Sequence, residues 1–174
     1  MARFITFLTD FGLQDDFVGT CHGVMKRIAP DVEIIDITHG IAPQGVLQGA
    51  LTLANTLPFM PEGVHLAVVD PGVGGSRRAL ALRDVSGRVH VGPDNGLLIL
   101  AAEKLGGIAD AHELGNPEYA LDSVSRTFAD ARPGDIILYE DAYRNISIAI
   151  NGGNAAAMFG ISEGRDIRIR LGTS

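Results

Sequence analysis

Three runs rich in β-branched and aromatic residues, RFITFLT (3–9), VEIIDIT (32–38) and GVHLAVVD (63–70), alternate with two segments of another texture. Those segments, FVGTCHGVMKRIA (17–29) and GVLQGALTLANTL (45–57), place apolar residues at helical spacing, and Pro30, Pro58 and Pro61 close them. The first of these runs reads as a buried strand and the other two as strands. Strand, helix, strand, helix, strand at this spacing requires crossover connections, and crossovers make a largely parallel sheet. Ligands of such sheets bind beyond the carboxyl ends of the strands. The chain puts Asp10, Thr38-His39 and Asp70 at those three ends.

The texture then changes. RALALRD (78–84) and RVHVG (88–92) flank Ser86-Gly87, a hairpin signal. PDNG (93–96) is a polar turn leading into a third helix, LLILAAEKL. From residue 132, RPGDIILYED, NISIAIN and DIRIRL alternate apolar and polar residues, with a short helical stretch, GGNAAAMFGI, between the last two. The pattern predicts an α/β fold, a mostly parallel sheet with helices on both faces, over residues 1–128. A small, shortened, mostly-β C-terminal unit is expected over 129–174, with the boundary near Arg126–Pro133.

Composition narrows the partners. A net charge of -7 speaks against nucleic acid, whose phosphates need a basic surface. The single cysteine, Cys21, excludes an internal disulfide and suits a reducing cytoplasm. The N-terminus, MARFITFLTDFG, is too short in its apolar run and too soon acidic for a signal peptide, and no apolar run has the length of a membrane span. The expectation is a cytoplasmic protein that acts on a small molecule.

The segment VVDPGVGGSRR (68–78) admits three readings. A phosphate loop would run into a helix, whereas these glycines run into arginines and a strand. A plain glycine-rich turn with surface arginines is the second. The third is a corner in which Asp70, at a strand end, pairs with Arg77 across a turn that the glycines let fold back closely, fixing the carboxylate's orientation. TDFGLQDD (9–16) offers Asp10 at the end of the first strand, where a carboxylate can accept ribose hydroxyls. Asp15 and Asp16 stand where one of them caps the first helix. A divalent-metal reading uses Asp10, Asp15 and Asp94 but lacks supporting histidine spacing. The histidines at 22, 39, 65, 90 and 112 are scattered and form no ligand pair in sequence. His65 and His90 fall inside strand patterns as packed or exposed residues, His39 follows a strand end, and Cys21 reads as a small core residue.

The order TDFG…D, DITHGI-P, VVDPGVG--RR, GPDNGLL resembles the S-adenosylmethionine hydroxide adenosyltransferase family, the SAM hydrolases, relatives of the fluorinase and chlorinase. The likeness runs from residue 3 to about residue 128, and the tail from Arg126 resembles the final part of that family's C-terminal β domain. The resemblance implies an α/β domain, a small β-barrel-like domain, and a homotrimer with active sites between subunits. It implies no cofactor, SAM being the substrate: water attacks C5′ of the ribose and displaces methionine, leaving adenosine. By match, Asp70 and Arg77 are catalytic, and Asp10, with its neighbour Phe11, and Asn95 bind substrate. Tyr143, Asn151 and Gly152 match the C-terminal segment that meets the adenine and methionine ends. Gln44, where the halogenating relatives carry an aromatic residue, and Asp70, where they carry Tyr, point to the hydrolase branch.

The chain departs from the family after Thr127-Phe128. There the family continues with His-Gly-Arg-Asp, whose histidine the resemblance makes the third member of the catalytic set, and then several dozen residues that begin the C-terminal domain. Here Thr127-Phe128 runs directly into Ala129-Asp130-Ala131-Arg132, with Ala129 in the histidine's place. The leaving group is a neutral thioether and needs no general acid, so an aligned water beside Asp70 supplies what the step requires. A catalytically impaired protein that binds adenosine or SAM is the alternative, and a metal-dependent phosphohydrolase built on the carboxylates is a third.

Overall fold

The computed structural model describes residues 4–73, 77–114 and 157, together with the backbone of 136–140 and 146–150. The strands β1 (Phe4–Thr9), β2 (Glu33–Thr38) and β3 (Val64–Val68) alternate with helices α1 (Phe17–Ile28) and α2 (Val46–Thr56). A 3-10 turn, Leu57–Phe59, ends α2 where Pro58 withdraws a backbone donor. The hairpin β4 (Ala79–Asp84) and β5 (Val89–Pro93) follows, then α3 (Ile99–Lys104) and β6 (Ile108–Leu114). The sheet order is β2-β1-β3-β5-β4-β6. β1 is parallel to β2 and β3, β3 is parallel to β5, and β4 is antiparallel to β5 and β6. The mostly parallel sheet is therefore present.

Helices cover both faces, as two neighbouring residues of β1 demonstrate. Successive strand residues point to opposite faces. Phe7 packs its ring near His22 of α1, with centroids 6.0 Å apart. Leu8 belongs to the core built with Ala50, Leu53 and Ala54 of α2 and Ala101 of α3. Helix α2 lies close to the sheet: a Cβ on Gly49 would sit 2.8 Å from Leu97 Cδ1 and 3.2 Å from Val69 Cγ2.

Strand β6 has no counterpart in the apolar pattern, and the reason is physical. All seven residues of IADAHEL are exposed, so no buried face wrote an alternation into the sequence. The strand is held by its backbone ladder to β4, from Ala79↔Leu114 to Asp84↔Ile108. Gly106 and Gly107, both at φ 108, turn the chain from α3 into it.

The chain divides into two units, one of residues 1–72 and 76–120 and the other of 73–75 and 121–174. In the second, β7 (Ile136–Glu140) and β8 (Ile146–Ile150) form an antiparallel pair with Ile136 opposite Ile150.

A buried polar row crosses the sheet on the α2 face. Thr6, His65 and His90 are laterally paired on β1, β3 and β5, and none is exposed. Thr6 Oγ1 and His65 Nδ1 are 2.9 Å apart, and the two imidazoles lie 5.3 Å apart. Burial, followed by the electrostatic influence of His90 and Arg88, lowers the His65 pKa from 6.5 to about 4, against a smaller opposing pull from Asp84. The folded protein thus holds His65 neutral while the unfolded chain protonates it near 6.5. Stability from this residue is complete above pH 6.5 and is lost as pH falls from 6.5 to about 4. Urea-unfolding midpoints across that window are expected to drop in the parent chain and to drop less in His65→Gln.

Candidate active site

The sheet order reverses at β1: the chain moves outward to β2, then crosses back to β3 on the other side. Crevices at such switch points receive ligands. Thr9 of β1 is level with Val68 of β3, so Asp10 and Asp70 leave the same edge of the sheet on adjacent strands. β5 is parallel to β3 and ends at Pro93, which brings Asn95 to that edge as well. The structure thus gathers three of the sequence-predicted residues, Asp10, Asp70 and Asn95, at three neighbouring strand ends.

At the Asp70 corner, Arg77 Nε donates to Asp70 Oδ1 at 2.8 Å, and Arg77 Nη2 donates to Oδ2. The Gly72 N–H donates to Oδ1 at 3.1 Å, and Arg77 Nη1 donates to the Arg78 carbonyl oxygen at 3.0 Å. Both charged groups are largely buried, with 11% of the Asp70 side chain and 21% of the Arg77 side chain exposed. This is the paired corner of the third sequence reading. A carboxylate offers about four lone-pair directions. Oδ1 spends both of its own on Arg77 and Gly72, whereas Oδ2 spends one on Arg77. The remaining direction of Oδ2 can accept a water.

Asn95 braces the corner from the neighbouring strand. Its Nδ2 donates to the Val69 carbonyl oxygen at 2.8 Å, and its Oδ1 accepts the Leu97 N–H at 3.1 Å. One amide N–H and one lone pair remain for a ligand. Beside it, Arg78 pairs with Asp94 at the surface.

Asp10 Oδ2 accepts the backbone N–H of Gln44 at 2.9 Å. Gln44 has φ 65, the only positive φ of a non-glycine residue among the described residues. A left-handed conformation held by a long side chain costs on the order of 1–3 kcal/mol and gathers at functional loops. Nothing in the sequence marks Gln44 as strained. Phe11 packs edge-on against Phe17 at 4.8 Å and Phe7 at 6.4 Å, and its N–H donates to Thr9 Oγ1. Tyr143, Asn151, Gly152 and Ala129 lie outside the described residues.

The acidic metal set does not assemble. Asp10 is taken up by Gln44, Asp15 accepts the first N–H of α1 from Phe17 at 3.1 Å, and Asp94 holds Arg78. Asp15, one residue before the N-cap Asp16, supplies the side-chain bond at that helix start. The absence of a histidine pair in sequence is corrected by the packing of α1. His22 Nε2 and His39 Nε2 lie 2.9 and 3.2 Å from the same oxygen, Asp36 Oδ1. The signal available was His22's place on the inward side of α1, four residues after buried Val18.

The chain thus holds a doubly wound α/β domain with a carboxylate–guanidinium corner at its switch-point edge, where such sheets receive ligands. The SAM hydroxide adenosyltransferase N-terminal domain matches residues 5–133, and the chain belongs to that family. It is 53% identical over 124 residues to the (R)-S-adenosyl-L-methionine hydrolase of Salinispora arenicola, covering 71% of this chain and 47% of that protein. It is 31% identical over 147 residues to the fluorinase of Nocardia brasiliensis, covering 71% of this chain and 49% of that one. The chain therefore spans about half the length of these curated relatives. A crystal structure of an uncharacterized conserved protein from Thermotoga maritima superimposes with a TM-score of 0.60 at 25% identity, over 92% of this chain and 97% of that one.

Proposed function

We propose that the chain hydrolyses S-adenosyl-L-methionine to adenosine and L-methionine by attack of water on ribose C5′. The observation that carries this reading is the Asp70–Arg77 corner, within a segment similar to proteins named SAM hydrolases. A water accepted by Asp70 Oδ2 is oriented for in-line attack. As the C5′–O bond forms and the C5′–S bond breaks, the electron pair stays on sulfur and the sulfonium becomes a neutral thioether. The water's proton passes to Asp70 and then to solvent. Arg77 fixes the carboxylate through two parallel hydrogen bonds and balances its charge in a largely buried corner.

On this reading Asp10 accepts the ribose hydroxyls and Phe11 and Asn95 line the substrate. Tyr143, Asn151 and Gly152 are assigned to the substrate by their family match alone, and the 129–174 domain, the homotrimer, the cytoplasmic setting and the lack of a cofactor belong to the same reading. No helix among the described residues is long and apolar enough to cross a membrane. Asp10→Ala is expected to raise KM for SAM by roughly 10–100-fold, the worth of a hydrogen bond to a charged group, with a smaller change in kcat. Steady-state kinetics of adenosine release checks it.

Ala129, where the family carries histidine, favours a second reading: binding of SAM or adenosine without turnover. Calorimetry on the intact chain separates the two. Binding with adenosine release supports hydrolysis, and binding with none supports the second reading.

A further inference from the structure

We propose that His22, Asp36 and His39 form a binding site for a divalent transition metal ion of the zinc class. One ligand atom from each residue lies within 4.8 Å of the others. Asp36 Oδ1 is 2.9 Å from His22 Nε2 and 3.2 Å from His39 Nε2. A tetrahedral ion with nitrogen and oxygen ligands at about 2.0–2.1 Å sets those ligand atoms roughly 3.3 Å apart. The three groups are thus already near the spacing that a single ion imposes.

The fold delivers them from two elements. Asp36 lies on β2, opposite Phe7 of β1, on the face that α1 covers. His22 comes down from the middle of α1, and His39 stands one residue beyond β2.

His39 carries the second, independent indication. It is 4% exposed, and its Nε2 has no hydrogen-bond partner among the described residues although it points at the Asp36 carboxylate. An unpartnered buried nitrogen is costly to leave, and a metal ion would take up its lone pair. The opposite nitrogen, Nδ1, lies 2.8 Å from Thr9 Oγ1. With Nδ1–H donating to Thr9, the Nε2 lone pair faces the site, the arrangement in which an outer partner fixes a metal-binding imidazole.

The surroundings fit an ion. Phe7 packs against both imidazoles, edge-on to His39 at 4.9 Å and tilted to His22 at 6.0 Å, as an apolar wall on one side. The side chains of His22 and Asp36 are 33% and 40% exposed, which gives an entry path and room for water at the fourth position. Two imidazoles and one carboxylate suit zinc and its neighbours, while calcium and magnesium prefer oxygen ligands.

The site also touches the substrate loop. The His39 carbonyl oxygen accepts the Gly12 N–H at 2.8 Å, two residues beyond Asp10. An ion on His39 would brace the loop that presents Asp10, independently of the Asp70 corner.

The test uses the full chain without a histidine tag, stripped with chelator and titrated with zinc chloride by calorimetry. One zinc per chain is expected. His22→Ala and Asp36→Asn, each confirmed folded by circular dichroism, should each weaken it by more than about 100-fold, beyond the loss of an outer partner. Thr9→Val should weaken it by about 10–100-fold. His112→Ala, at a surface pair on another strand, should leave it unchanged. Absence of zinc binding, unchanged affinity in folded His22→Ala, or magnesium bound as tightly as zinc would overturn the proposal. The three residues would then be an ion-paired cluster only.

Discussion

Asp70→Ala is expected to lower adenosine release from SAM by ~10²–10⁴-fold, the usual worth of one positioned acid–base group. The size follows from the corner. Asp70 is where Arg77 Nε, Arg77 Nη2 and the Gly72 N–H converge, and Oδ2 retains the single direction that can hold a water. Alanine removes the acceptor and leaves the Arg77 charge facing the substrate sulfonium, so orientation and electrostatics fail together. Arg77→Lys is the milder variant, since a point charge cannot reproduce two parallel bonds. It is expected to reduce kcat more than it raises KM. A loss below about tenfold for a folded Asp70→Ala would mean that the corner is structural.

Stability is expected to respond most to Asp84. This carboxylate is 1% exposed. Its Oδ1 accepts the Ser86 N–H at 2.9 Å, the Ser86 hydroxyl at 2.6 Å and the Arg88 N–H at 3.1 Å, and its Oδ2 is 2.9 Å from His90 Nε2. Burial pushes its pKa up, but the hydrogen bonds from Ser86, His90 and Arg88 outweigh it and hold the carboxyl below its usual range. The carboxylate thus pins the β4–β5 turn and satisfies a histidine with no exposure and an already unpartnered Nδ1. Asp84→Ala leaves that imidazole without a partner in the core. Breaking a buried pair from one side costs about 3–5 kcal/mol, and urea unfolding near neutral pH should show a loss of that order. A loss of less than about 1 kcal/mol, the worth of an exposed pair, would mean that the turn holds without it.

The parts of the fold most legible in sequence are those whose side chains are buried in a regular pattern. β1, β3 and α2 carry such a pattern because they are buried, whereas β2 is at most half-buried and α1 buries Val18 alone, so those two were legible from β-branched content and helical spacing. β6 pairs through its backbone with every side chain exposed, so composition held no trace of it. The Asp70–Arg77 pair was legible because both partners flank one glycine-rich turn, a local feature. The His22–Asp36–His39 group was not, because α1 must pack on β2 before residues 14 and 3 positions apart can meet. Gln44 was hidden for another reason: a left-handed glutamine arises from the loop that holds Asp10 and violates the residue's own preference.

Hydrolysis of SAM by the purified chain in oxygen-18 water, with mass analysis of both products, tests the central claim most directly. Attack of water on C5′ predicts one oxygen-18 atom in the 5′-hydroxyl of adenosine, none in methionine, and loss of the labelled product in Asp70→Ala. Adenosine that carries no label, or label found in the amino-acid product, would contradict it.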